Sequence, residues 1–186
     1  MKKRLGELVI QIIPVMIGVY LGFVLSDWAK SNEISSKKDQ LAQNISLEIE
    51  SNRQKLKNVI DYHKMLRDSS RHYANSDSTP ERIRFFGGLR TQSLTSSAFE
   101  TGIQTGIINE LELDQIQTLN KTYTQQESYN DFGKVVLSGI INFDFQNKTS
   151  SIERLLNFLS ITMTDIVIKE KQLLEEYEDT LEMIDK

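Results

Sequence analysis

Histidine titrates near neutral pH and is the commonest metal ligand, and this chain has two, His63 and His72. They lie nine positions apart with no H-E-x-x-H arrangement, so they lack the one-turn spacing that puts two imidazoles on one metal. Cysteine is absent, which excludes disulfides, thiolate metal sites and cysteine nucleophiles. Histidines satisfied by neighbours on a helix face are the simpler reading, and nothing in the linear pattern supports pH sensing. "DFGK" (Asp131 to Lys134) copies a kinase tripeptide without the Gly-rich loop, strand lysine or catalytic loop that give it meaning. Gly87-Gly88 lacks the lysine and helix context of a phosphate loop, and no G-x-S-x-G occurs. Carboxylates crowd the stretch from Glu170 to Asp185, where a solvated acidic face explains them more simply than acid–base catalysis. N-x-[ST] triplets at Asn44, Asn120 and Asn147 carry little weight in a chain so rich in Asn, Ser and Thr. The reading is of a non-enzyme with no catalytic residue, cofactor or metal site.

One loop constellation stands apart. Arg82, Arg84 and Arg90 surround Phe85 and Phe86, a combination suited to lipid headgroups or an acidic partner. The bland alternative is that the Phe side chains cap the end of a bundle while the Arg side chains stay in solvent.

The elements that position these residues begin with the stretch "ELVIQIIPVMIGVYLGFVLSDW", Glu7 to Trp28. Leu8 to Ser26 is free of formal charge and, at ~1.5 Å per residue, makes a helix of roughly 28 Å, close to the ~30 Å hydrocarbon layer. Lys2, Lys3 and Arg4 precede it, and Trp28 sits where an interfacial anchor belongs. The apolar run exceeds a signal-peptide h-region and no A-x-A site follows, so residues 1–29 are expected to be an uncleaved transmembrane anchor. The denser basic cluster lies in front, which favours a cytoplasmic N-terminus and a domain exported to the periplasm from the inner membrane. Gln11, Gly18, Gly22 and Ser26 share one side of this helix. The small-x-x-x-small spacing of Gly18, Gly22 and Ser26 suits close packing on a second copy or on a partner membrane protein, with Gln11 placed to hydrogen-bond across the contact, although glycine is common in spans.

Residues 30–186 are expected to form a helical bundle, making the chain all-α. After a polar connector, "AKSNEISSKK", a long helix of about 39–74 carries Ala42, Ile45, Ile49, Asn52, Leu56, Val59, His63, Leu66, Ser70 and Tyr73 at alternating steps of three and four. Asn52, His63 and Ser70 weaken that seam as a two-stranded coiled coil, and Leu41, Leu47 and Ile60 broaden it, as an intramolecular bundle requires. A loop spans 75–95. Ser97 and Glu100 have capping-box spacing and open a short helix over 97–105 that Gly106 closes. A further helix starts near Glu112 and runs to 131, or on toward Phe145 with a break near Gly133 or Gly139. "NKTSS" connects to a last long helix of about 151–185 with the seam Ile152, Leu156, Leu159, Met163, Ile166, Leu173, Tyr177, Leu181 and Ile184. Lys30 to Arg71 holds nine basic and six acidic residues (+3), against three and seven (−4) from Lys169 to Lys186; this complementarity hints that the long helices pair. The overall charge of −4 argues against a nucleic-acid partner.

The basic start, a span ending near Trp28 and "NISLEIESNRQKL" (Asn44 to Leu56) resemble an uncharacterised bacterial family of small single-span membrane proteins. "SAFETGIQTGIINELELDQIQTLNKTY" (Ser97 to Tyr123) resembles that family's second block, an aromatic-Glu helix start leading through a Gly turn to another helix. The resemblance implies an anchored helical domain and brings no activity or cofactor. Interaction or scaffolding at the bilayer is the expected function, with a membrane-tethered sensor or ligand-binding domain working with a partner protein as the alternative.

Overall fold

A computed structural model of the chain describes residues 2–76, 80, 83–143 and 148–184, with side chains from 12 onward in the first helix and from 150 onward in the last. Five α-helices are present: α1 (Lys2–Lys57), α2 (Ile60–Ala74), α3 (Ser97–Thr105), α4 (Leu113–Ile141) and α5 (Lys148–Ile184), with a 3-10 turn over Ile107–Glu110. No strand occurs among the described residues, so the chain is all-α.

Two boundaries differ from those the sequence suggests. The polar segment 29–38 is no connector, because α1 continues through it without a break. It holds no Pro or Gly to stop a helix, and Lys37 pairs with Glu33 one turn earlier at 2.6 Å. The long helix instead breaks at Asn58 and Val59, where the Val59 N–H tightens onto the Leu56 carbonyl at 3.1 Å. The apolar seam carries on across that break. Ile45, Ile49, Leu56, Val59 and Leu66 are buried, whereas Leu47 points to solvent and does not widen the face.

Cross-contacts set the order of the bundle. α1 and α2 run outward as one bent rod. An extended strap, residues 83–96, then returns beside them, with Phe85 on Tyr73 and Thr95 on Asn52, and α3 continues inward past Leu41. α4 runs outward again, Tyr123 meeting Glu48 and Gln126 meeting Asn52. α5 closes the bundle in the opposite sense, with Glu178 near Arg53, Glu170 on His63 and Thr164 on Arg71. The two long helices therefore pack against each other within one chain. Their core is apolar, built from Leu56, Leu66, Leu159, Met163, Ile166 and Leu173, and the Arg53–Glu178 pair at 3.8 Å bridges them.

Neither glycine of α4 breaks the helix, and of the two Gly139 marks a close approach. α4 passes straight through Gly133 and Gly139, and a Cβ at Gly139 would meet the Phe158 ring of α5 at 2.7 Å. Any extension toward Phe145 lies outside the described residues. Gly106, at φ 74°, closes α3 as expected. The capping box is elsewhere: Ser96, not Ser97, is the N-cap of α3, and the reciprocal pair is Glu112 with Gln115 at the start of α4. Ser97 turns its hydroxyl to Glu48 at 2.8 Å instead.

Candidate functional site

Two regions depart from ordinary bundle chemistry. The first is the apolar part of α1. Every residue from Ile12 to Trp28 is exposed, including Leu21 at 52% and Trp28 at 65%, and the helix that carries them is, by length and composition, long and apolar enough to cross a membrane. Gly18 and Gly22 have nothing within 4 Å of where a Cβ would stand, and Ser26 is exposed on the same helix. Lys2, Lys3, Arg4 and Gln11 lie on this helix too, with their side chains outside the described set.

The second region is a polar layer inside the bundle. An extended strap among helices has backbone N–H and C=O groups with no ladder partner, and burial without one costs about 1–3 kcal/mol each. Helix side chains provide the partners. Asn52 donates from Nδ2 to the Thr95 carbonyl at 2.7 Å and accepts the Thr95 N–H at Oδ1 at 3.0 Å. Asn130 does the same for Leu94, accepting its N–H at 3.0 Å and donating to its carbonyl at 2.9 Å. Gln126 adds a second donor to the Thr95 carbonyl at 2.9 Å and accepts the Tyr177 hydroxyl at 2.6 Å. Tyr62 accepts the Gly87 N–H and donates to the Gly88 carbonyl at 2.6 Å. The Asn amide carries donor and acceptor on one planar group, so Asn52 and Asn130 each substitute for a strand partner.

His63 anchors the same strap at Leu89. Its Nε2 lies 2.7 Å from the Leu89 carbonyl, which can only accept, so Nε2 carries a hydrogen. Nδ1 lies 2.6 Å from Glu170 Oε1, and that oxygen also accepts the Tyr129 hydroxyl at 3.1 Å. All three side chains are buried, and Glu170 Oε2 has no partner. Burial, reinforced by the Glu170 charge, pushes the Tyr129 phenol well above its ordinary range. Tyr123 is raised in the same way by burial and its hydrogen bond to Glu48, and Tyr177 by burial with the Glu48 charge nearby. Each of these phenols is thus held in the protonated, donating form.

This layer corrects the reading of the acidic stretch. Glu170 and Glu176 are buried, Glu176 paired with Lys121 at 2.6 Å, so the face from Glu170 onward is only partly solvated. A signal for Glu170 exists in the sequence, since it fills the seam position four after Ile166 and three before Leu173. The same spacing carries the face of Leu119 and Tyr123 on to Gln126 and Asn130, but their partners, strap backbone atoms and distant side chains, leave no pattern in the sequence.

The Arg and Phe constellation is divided. Phe85 stacks on Tyr73 with ring centroids 5.6 Å apart, and Phe86 packs on the core. Arg84 is exposed, and Arg90, at φ 54°, lays its guanidinium over Tyr62 at 4.3 Å; Arg82 lies outside the described residues. His72 is exposed and edge-on to Tyr73, far along α2 from His63. Asp131 and Lys134 of the "DFGK" stretch pair with each other at 2.8 Å on the surface of α4. Among the described residues no group of His, Asp and Glu has metal-holding geometry.

No protein-family model matches this chain, and neither a curated protein nor a solved structure is similar to it.

Proposed function

We propose that the chain is a single-pass membrane protein whose helical domain works by interaction or scaffolding at the bilayer surface, without catalysis. The observation that carries this reading is the exposure of Ile12 to Trp28 on a helix that then enters a packed core. Leaving so much apolar area in water is strongly unfavourable at ~25 cal/mol per Å², and lipid removes that penalty. The basic residues Lys2, Lys3 and Arg4 support a cytoplasmic N-terminus and an exported domain. Trp28 serves as the interfacial anchor. The open face of Gly18, Gly22 and Ser26 suits packing on another span, from a second copy or a partner protein.

Alkaline carbonate extraction tests the anchor, with the full chain expected to stay in the pellet. Release into the supernatant, or a mature chain that starts near Asp27, would defeat it. A reporter fused after Lys186 reads the orientation, and activity on the cytoplasmic side would reverse the proposed topology. A tethered sensor is the second reading, favoured by the absence of any linker between the apolar segment and the bundle.

A further inference from the structure

We infer that the strap is a splint across the break between α1 and α2, fixing the angle at which the two halves of the rod meet. The inference goes beyond the proposed function and holds whether or not α1 crosses a membrane, so its failure would leave that reading standing.

Sharp bends in helices ordinarily trace to Pro, to Gly or to a group inserted into the ladder. From Asn52 to His63 the rod contains no Pro or Gly, yet its ladder tightens at Val59 and restarts at Ile60. A bend with no local cause is set by tertiary ties, and the strap makes such ties on both sides of the break. On the α1 side, Asn52 takes both backbone groups of Thr95, and Lys55 donates to the Ser93 carbonyl at 3.2 Å. On the α2 side, Tyr62 accepts the Gly87 N–H at 2.9 Å and donates to the Gly88 carbonyl, while His63 donates to the Leu89 carbonyl. The Arg90 guanidinium lies over the Tyr62 ring and adds to that end. The strap therefore runs antiparallel to the rod, bonded before and after the break.

The two lengths match closely. Eleven helical steps from Asn52 to His63 rise about 16.5 Å, and six extended steps from Leu89 to Thr95 reach at most about 20 Å. Arg90, left-handed at φ 54°, takes up part of the difference. With so little slack, a substantial change of angle at Asn58 and Val59 has to break ties at one end of the strap. α5 spans the same break, near Arg53 through Glu178 and on His63 through Glu170. Its hold on the rod is mainly apolar, and packed helices slide by small amounts without losing contact. The strap's hold is made of directional hydrogen bonds, which fix an angle.

The chain has no cysteine, so a pair of spin labels can be placed without removing any native thiol. Gln43→Cys on α1 and His72→Cys on α2 are at exposed positions, each about 20 Å along the rod from the break. The distance between the labels, measured by double electron–electron resonance on the full chain in neutral detergent, is expected to form one narrow distribution. Adding Asn52→Ala and Tyr62→Phe frees the strap at both ends and should shift the mean by roughly 2 Å or more and widen the spread. Asn130→Ala, which frees Leu94 from α4 without touching the rod, should leave the distribution unchanged. A glycine inserted between Thr91 and Gln92 lengthens the strap while keeping every tie residue, and it should act like the double variant. That insertion carries the test should the double variant not fold. An unchanged distribution in the inserted chain or in a folded double variant would overturn the splint and leave α5 to set the angle. Equal widening in Asn130→Ala would overturn it as well, since the bend would then follow general loosening of the bundle.

Discussion

The two halves of α1 reverse each other's chemistry. Between Ile12 and Trp28 the helix turns apolar side chains outward on every face. Between Leu41 and Leu56 it buries one face, and at the centre of that face stands Asn52, fully enclosed. An amide is inside and leucines are outside, on one unbroken helix. The contrast teaches that burial follows what a side chain meets. Asn52 is inside because Thr95 offers it a bare N–H and C=O, while Leu21 is outside because nothing among the described residues covers it.

Substitutions can break this contrast from either side. The largest effect is expected deep in the polar layer, where Glu170→Ala leaves a cavity and strips His63 Nδ1 and the Tyr129 hydroxyl of their partner, and should lower unfolding stability by about 3–5 kcal/mol in urea titrations. Next comes the apolar half. Leu21→Arg adds an insertion penalty of about 2.5–3.5 kcal/mol, read as a shift from carbonate pellet to supernatant, while the bundle's urea midpoint stays unchanged. Asn52→Leu strands the Thr95 N–H and should cost about 2 kcal/mol; a stabilised variant would mean the strap is not held there. Smallest is the glycine comparison. Gly139→Ala forces the Phe158 ring to shift, at about 1–2 kcal/mol, whereas Gly22→Ala meets open space and should leave the urea midpoint where it is.

Much of the fold could be read from periodicity, since Ile45, Ile49, Leu56 and Leu66 on one rod and Leu156, Leu159, Met163 and Leu173 on another are buried as their spacing predicts. Helix ends marked by Gly106 and Glu112 were legible for the same local reason. The break at Val59 was not, because no Pro or Gly marks it. The strap was legible only as a loop. Its partners are helix amides about 30 to 40 positions away, and pairing of a side chain with a distant backbone leaves no pattern along the chain. The polar seam residues Asn52 and His63 stood out as flaws in a coiled coil, and they are the attachment points of a segment no heptad describes. Spacing places Glu170 on the seam, but its pairing with His63 leaves no mark among acidic neighbours of which Glu175, Glu178 and Asp179 face water.

The missing joint in α1 has a mechanical corollary. Lys57 lies twenty-nine residues beyond Trp28 along the same helix, roughly 43 Å at the usual rise. Rocking the N-terminal portion by about ten degrees would swing that distant end through roughly 8 Å, several times the length of a hydrogen bond. A domain joined by a slack leash would absorb such a tilt; a continuous helix carries it into the bundle like a crowbar.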